Sequence, residues 1–435
     1  MTPTLVTFVT YFVVLLAIGL YFWRPGDSID GYLLGKRGLG AWVTAISTQA
    51  SDMSGWLLMG LPGVIYAGGL AHAWIAIGLF LGTVLNWRLV SGRLRAYTQK
   101  TDTITLPSFF EQRFADPTGS LRVLSALVIL MFFTVYASSG LVACGKLFES
   151  TFGISYGAGV CIGWAITVVY TFLGGYLAVC WTDVFQGMLM VLALVIVPAV
   201  AIAKSGGISG VHQAMTAKGV PISLIPPGHT AALLGIGSAM AWGLGYFGQP
   251  HLLVRFMSAK SVAKLSESMK IAVTWVFISL TGAVVIGLVG IGMFDTLPGN
   301  DREKVFIAMI TKVMHPWAAG IMLSAILSAI MSTIDSQLLV SSSALSEDLY
   351  RRTIRQDADP RRIALAGRAC VVVISAAALL LALNPRDTIL GIVAYAWGGF
   401  GAAFGPLVLF ALFSRRTTWM SALAGMITGT AVLIL

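Results

Sequence analysis

Charge is what this sequence has least of. Asp, Glu, Lys and Arg together make up 11% of its 435 residues, and there are five histidines. Soluble domains carry roughly a quarter charged residues, so a soluble globular protein is excluded. Hydrophobic residues fill 57% of the chain at a mean hydropathy of +0.86, the composition of an all-α polytopic membrane protein. Cysteine is equally thin. Cys144, Cys161, Cys180 and Cys370 lie far apart, mostly in apolar runs, with no Cys-x-x-Cys and no histidine partner. Each reads as a small buried thiol, and metal and disulfide readings find little support. No Walker A sequence and no nucleophile elbow occurs, which argues against an ATP-driven pump or a membrane hydrolase. Neither enzyme activity nor a cofactor is expected. A channel needs a filter or a charged ring, and none is visible. The remaining energy source is an ion gradient. The N-terminus also lacks the basic region of a cleaved signal, so residues 5–23 stay as a helix.

What is present is a succession of uncharged windows, enough for about 12 transmembrane helices. They fall at residues 1–23, 38–66, 72–94, 123–145, 150–182, 184–203, 231–254, 271–294, 313–345, 369–383, 388–414 and 419–435. Asp183 marks the hinge between the fifth and sixth, and Pro221, Pro226 and Pro227 mark a loop before the seventh. The net charge of +10 is a topology signal rather than a nucleic-acid one. With the N-terminus outside, Arg24, Lys36, Arg37, Arg88, Arg93, Arg95, Lys100, Arg113, Arg122, Arg351, Arg352, Arg355, Arg361, Arg362, Arg368, Arg415 and Arg416 fall on the cytoplasmic side. A loop holding Arg255, Lys260, Lys264 and Lys270 joins them, whereas only Lys146, Lys204, Lys218, Arg302, Lys304, Lys312 and Arg386 face out. That bias, roughly threefold, is the positive-inside pattern. The chain stops on Val-Leu-Ile-Leu within its last apolar window, so a truncated C-terminus is expected.

Three interruptions break the apolar pattern. The first is Ala50-Ser51-Asp52-Met53-Ser54-Gly55-Trp56, mid-way along the second window. A charge at that depth costs roughly 2.5–3.5 kcal/mol on insertion scales, so its default reading is functional. Ser and Gly beside Asp52 let the helix part and turn carbonyls and amides towards a cavity. The second is Trp242-Gly-Leu-Gly-Tyr246-Phe-Gly-Gln-Pro250-His251, whose glycines and proline make a straight helix costly. It reads either as a cavity wall or as a kinked packing helix. It lies five segments after the first and so runs in the opposite orientation. Broken helices at matching positions of an inverted repeat are how secondary transporters build a midplane site. The third is the hydroxyl series Ser324, Ser328, Ser332, Thr333 and Ser336, largely on one helical face. Ser332 and Thr333 are the pair best suited to an alkali cation; back-bonding or small-residue packing is the other reading. Asp335 reads as a gate or salt-bridge partner. Tyr136 either reaches the cavity or packs, and Arg37 is either a positive-inside anchor or a cytoplasmic gate. Asp183 is an ion-pathway carboxylate or an N-cap for the helix from Val184. His251 is a proton carrier or a packed histidine.

At these residues the sequence resembles the sodium/solute symporter family. The likeness rests on Ala50-Ser-Asp-Met-Ser-Gly-Trp-Leu-Leu-Met-Gly-Leu-Pro-Gly63, on Trp242 to His251, on Ser324 to Val340 with Ser346-Glu-Asp-Leu-Tyr350, on Gly174-Gly-Tyr-Leu-Ala-Val-Cys-Trp-Thr-Asp183, and on Tyr395 to Gly405. It implies a leucine-transporter-like inverted repeat of five plus five helices. Residues 38–230 and 231–414 are then the two repeats, after an N-terminal helix and cytoplasmic loop (1–37) and before a last helix (415–435). It implies sodium-coupled uptake of L-proline across a bacterial cytoplasmic membrane, with Na+ as the coupling ion. By the same likeness, sodium binds the carbonyls of Ala50, Met53 and Ala329 and the hydroxyls of Ser332 and Thr333. Asp52 is implicated, directly or indirectly, and Asp183 lies on the ion route. Proline sits against Ser54, Gly55, Trp56, Tyr136, Trp242, Tyr246 and Pro250, and Arg37 is tied to coupling. Two departures stand out: the chain ends in the twelfth of thirteen helices, and Ile334-Asp335-Ser336 carries an extra acid. The alternatives are a symporter for another solute (pantothenate or a different amino acid), a transporter-like sensor, and a proton-driven carrier using His251 and Asp52.

Overall fold

The computed structural model describes residues 2–22, 31, 34–173, 175–225, 229–354 and 360–434. Arg24, Gly174, Pro226, Pro227 and Arg355 lie outside them. Among the described residues, the only extended pairing is one isolated bridge between Leu39 and Ala259. The rest is helix and connection, because long uncharged runs satisfy their own backbone in a bilayer only as helices.

Helix α1 (Pro3–Phe22) precedes a broken crossing made of α2 (Ala41–Asp52) and α3 (Trp56–Gly68). Then come α4 (Leu70–Thr101), the short α5 (Leu106–Arg113), α6 (Ser120–Phe152), α7 (Tyr156–Leu173), α8 (Tyr176–Lys204) and α9 (Gly207–Ala217). The second broken crossing is α10 (His229–Ala241) and α11 (Pro250–Ser258), joined by 3-10 turns over Trp242–Gly248. It is followed by α12 (Val262–Met293), α13 (Val305–Val313), α14 (Pro316–Ser343), α15 (Pro360–Leu383), α16 (Ile389–Phe413) and α17 (Trp419–Ile434). Beyond Ser343, α14 continues as a π-helical stretch, Ala344–Ile354. Among the described residues, eight helices are long and apolar enough to cross a membrane, and Trp56–Gly68, Tyr156–Val169, Ala232–Gly248 and Trp419–Ile434 are shorter apolar ones. The protein is a multi-pass, all-helical membrane protein.

Local chemistry sets the ends. Proline occupies the first turn of α5, α11 and α14, where its missing N–H costs nothing. Thr105 and Ser108 form a reciprocal capping box on α5, and Thr388 caps α16 by accepting from Gly391 N. Between crossings, lipid offers no hydrophobic force, so close contact through small residues does the holding. A Cβ on Gly82 of α4 would lie 2.2 Å from the Gly243 carbonyl, and one on Gly248 would lie 2.1 Å from that of Phe400. Glycine at these points lets the second broken crossing lie directly against α4 and α16. At the opposite end of the break, Leu39 N donates to Ser258 O and Lys260 N to Leu39 O. Arg95 Nε donates to Ala259 O at 2.6 Å. The starts of α2 and α12 and the end of α11 are thereby tied together.

The structure corrects three sequence expectations. Cys161 is exposed rather than a buried thiol. Asp183 is no hinge and caps nothing: it lies eight residues into α8, and the chain breaks instead near Gly175, the N-cap of that helix. Dividing windows at charges misplaced the break, because this carboxylate is neutralised inside the protein. Arg255 is not a loop charge either; it is buried within α11. The connection over residues 295–312 also carries structure, two 3-10 turns (Pro298–Asn300 and Arg302–Lys304) and most of α13.

Candidate functional site

The site begins where α2 ends. Met53 takes φ −84° and ψ 79°, which swings its carbonyl out of the helical ladder. Met53 N still reaches Gln49 O, but Ser54 N turns to Asp52 O at 3.0 Å instead of Ala50 O, four residues back. The Ala50 carbonyl is thus released from its helical duty and buried. An orphaned buried carbonyl is costly, and a side chain from α14 meets it: Ser332 Oγ donates to Ala50 O at 2.7 Å. Ser332 Oγ also lies 3.3 Å from Ala329 O, and Thr333 Oγ1 donates to that carbonyl at 3.2 Å. Carbonyls of Ala50 and Ala329 and hydroxyls of Ser332 and Thr333 therefore converge between α2 and α14, with Met53 at the break beside them. Partly charged neutral oxygens in a dry setting suit an alkali cation. Among the described residues, no group of three His, Cys, Asp or Glu side chains gathers as a transition-metal site would need.

Asp52 faces a different partner. Tyr246 OH, from the second break, donates to Asp52 Oδ2 at 2.7 Å. The Asp52 carbonyl accepts from Trp56 Nε1 at 3.0 Å and from Tyr136 OH of α6 at 3.4 Å. Its Oδ1 is buried with no hydrogen-bond partner. One residue thus joins both broken crossings and α6. Ser54, Trp56, Tyr136 and Tyr246 are buried around it, and Pro250, the first residue of α11, is buried as well. Gly55 packs so tightly on α6 that a Cβ there would come within 2.7 Å of Ala143 Cβ. Trp242 is set apart: it is half-buried, lines a groove against α16, and its carbonyl accepts from Trp397 Nε1 at 2.8 Å. Trp397 in turn meets the Tyr246 ring edge-on at 5.0 Å.

A second buried cluster holds Asp183, and sequence reasoning missed its centre. Arg255 Nη2 donates to Asp183 Oδ2 (2.9 Å) and to Ser336 Oγ (2.6 Å), Nε donates to Ser47 Oγ (2.9 Å), and Nη1 to His251 O (2.7 Å). Ser47 Oγ completes the ring by donating to Asp183 Oδ2 at 2.7 Å. Helices α2, α8, α11 and α14 are locked by one guanidinium, 1% exposed against a fully buried carboxylate. Ser336 Oγ also lies 3.3 Å from Asp335 Oδ1, while Asp335 Oδ2 has no partner. The only sequence signal for Arg255 was its place among apolar neighbours, Leu253-Val254 and Phe256-Met257. His251 is buried between the Phe133 and Tyr136 rings, and neither ring nitrogen is hydrogen-bonded. Arg37 stands apart from both clusters, bonded to Asp102 Oδ1 and to the carbonyls of Thr98 and Thr103.

The other end of the bundle has its own tie, which the sequence did not reveal. Glu303 is buried and accepts from Ile389 N (3.0 Å) and Leu390 N (3.2 Å), orphan amides at the start of α16. Lys146 of α6 bridges Glu303 (2.6 Å) and Asp301 (2.8 Å). A Cβ on Gly63 would lie 2.9 Å from Arg302 O, so the same turn rests on α3.

Two broken crossings facing each other, with an oxygen cluster against α14 and charged ties at both ends, define a secondary transporter of the leucine-transporter fold. The fold matches that of a Na+-coupled sialic acid symporter solved in a substrate-bound outward-open state, at TM-score 0.81 and 17% identity over 100% of this chain and 98% of that one. It also matches Mhp1, a nucleobase-cation-symport-1 family transporter solved closed around bromovinylhydantoin, at TM-score 0.57 and 14% identity over 94% of each. The sequence profile of the sodium:solute symporter family matches residues 32–429, and the chain belongs to that family. Among curated relatives, the sodium/proline symporters of Salmonella typhimurium and Escherichia coli are each 47% identical over 100% of this chain and 87% of their own length. The high-affinity proline transporter PutP of Bacillus subtilis is 47% identical over 97% of this chain and 89% of its own.

Proposed function

We propose that the protein imports L-proline together with Na+ by alternating access, in the cytoplasmic membrane of a bacterium with its N-terminus outside. One observation carries the coupling: Ser332 Oγ meets the Ala50 carbonyl that the break in α2 releases. Sodium bound by the carbonyls of Ala50, Met53 and Ala329 and the hydroxyls of Ser332 and Thr333 draws the broken crossing onto α14. The proline carboxylate takes amides freed at the break around Ser54 and Gly55. Its ring lies against Trp56, Tyr136, Tyr246 and Pro250. Asp52 acts through Tyr246, whose hydroxyl holds its Oδ2, rather than as a sodium ligand. The names of the relatives support proline as the solute, and the positive-inside charge pattern supports the orientation.

The two ties then serve as alternating closures. The Arg255–Asp183–Ser47–Ser336 knot closes the cytoplasmic side, with Asp183 on the ion route and Asp335 beside it as a gate residue, while Arg37 acts as a separate gate through its own tie to Asp102. The Glu303 tie closes the outer side. Residues 38–230 and 231–414 act as the inverted repeats, and sodium and proline each favour the occluded state, as tight coupling requires. The test is binding of labelled proline with and without sodium, competed by pantothenate and other amino acids. Sodium-dependent binding displaced by proline alone supports the reading; displacement by pantothenate would reassign the solute.

A further inference from the structure

We infer that the groove between the Trp242–Gly248 stretch and α16 holds an acyl chain of an anionic phospholipid whose headgroup rests at Arg93 and Arg415. The groove encloses about 950 Å³, near the top of the roughly 300–1,000 Å³ range of small-molecule sites. Leu244, Phe247, Leu409, Phe410 and Phe413 give it apolar walls, and it opens outward: Leu244 is 64% and Phe410 56% exposed. Its lining on α16 extends from Ala394 to Ser414, about 30 Å along the helix axis, the hydrocarbon depth of both leaflets, so a chain anchored at the Ser414 end fills the nearer half, about 15 Å. An acyl chain fits such a slot.

The end at Ser414 is basic. Leu89 of α4 lines the groove, and Arg93, one turn along the same helix face, sets its guanidinium 4.4 Å from the Phe413 ring centroid. Arg113 donates to the carbonyls of Ala411 and Ser414, which end α16 at the membrane edge, and Arg415 and Arg416 follow. Arg93 and Arg415 are exposed, and among the described residues neither pairs with a carboxylate. An apolar slot ending in unpaired guanidinium groups complements an amphiphile with a negative head. That charge complementarity selects a phospholipid over a second protein helix.

The groove also touches the transport site. Trp397 lines it, donates to the Trp242 carbonyl, and packs edge-on against Tyr246, whose hydroxyl holds Asp52. This inference does not depend on which solute is carried.

Native mass spectrometry of the full chain, titrated with phosphatidylglycerol or phosphatidylcholine, tests it. The expected result is one phosphatidylglycerol retained roughly tenfold more readily than phosphatidylcholine, with Arg93→Gln plus Arg415→Gln reducing that preference to roughly twofold or less. Ala402→Phe, which fills the groove, should lower retention of both lipids. Unchanged thermal melting separates these effects from misfolding. Equal retention of the two lipids, or an unaltered preference in the arginine variant, overturns the inference. A dimer mass without lipid also overturns it and assigns the groove to a second copy. Lipid retention by a protein that fails to bind proline would leave this inference standing and sink the solute assignment alone.

Discussion

Ser332 Oγ lies 2.7 Å from the carbonyl of Ala50, 282 residues away in sequence. The contact exists because Ser54 N has left Ala50 for Asp52, so the same backbone break that opens α2 supplies an oxygen to α14. Replacing Ser332 or Thr333 by Ala removes one oxygen from the proposed sodium shell. Each should raise the sodium concentration for half-maximal proline binding by about tenfold or more, at roughly 1.5–3 kcal/mol for a contact to a charge. Proline selectivity should stay as it is. Sodium titrations of labelled-proline binding measure both.

Tyr246→Phe tests the role given to Asp52. It leaves both carboxylate oxygens buried without a hydrogen-bond donor, since Oδ1 already has none. Proline binding at fixed sodium should weaken by roughly tenfold or more. In an Asp52→Asn background the same substitution should add little. Additive losses in this double-mutant cycle would remove Tyr246 as the agent through which Asp52 acts.

The Arg255–Asp183 pair predicts an asymmetry in stability. Arg255→Gln strands a buried carboxylate, and Asp183→Asn strands a buried guanidinium, each at about 3–5 kcal/mol. Changing both together should cost less than the sum of the two. Thermal unfolding in detergent reads the difference, and strictly additive costs would contradict the tie described here.

Asp116, in the turn between α5 and α6, gives a pH signature outside the membrane-crossing segments. Burial raises its carboxyl, but hydrogen bonds from Leu121 N, from Thr118 N and Oγ1, and from Ser120 Oγ outweigh that and hold it below the ordinary carboxylate value. A folded value below the unfolded one means stabilisation that is complete above the unfolded pKa of about 4. It is lost as pH falls through the folded value. Asp116→Asn should lower stability at pH 7 by about 1 kcal/mol, as for a lost helix cap. The gap to the parent should close as the pH approaches 3, read by melting curves across pH.

How much of this was legible in the sequence depended on whether the signal was local. The two breaks were visible because Ser54, Gly55 and the glycines between Trp242 and Pro250 sit in otherwise uninterrupted apolar runs. The hydroxyls of Ser332 and Thr333 stood out for the same reason. Asp183 stood out only as a charge at a supposed hinge, and Arg255 only as a loop charge. Their meaning lies in each other, 72 residues apart, and an isolated charge in a hydropathy pattern looks like the edge of a helix. Glu303 was hidden in a charged run, Asp301-Arg302-Glu303-Lys304, that looks like an ordinary loop until the amides of Ile389 and Leu390 are brought to it. Trp242 shows the reverse failure: a residue in the right motif whose side chain lines the groove beside α16.

Proline uptake into proteoliposomes, measured with an inward sodium gradient and with potassium replacing sodium, tests the central claim most directly. Accumulation above equilibrium only in the presence of the sodium gradient, abolished when that gradient is collapsed, is the result expected of this site. Equal accumulation without sodium, or accumulation driven by a proton gradient alone, would contradict it.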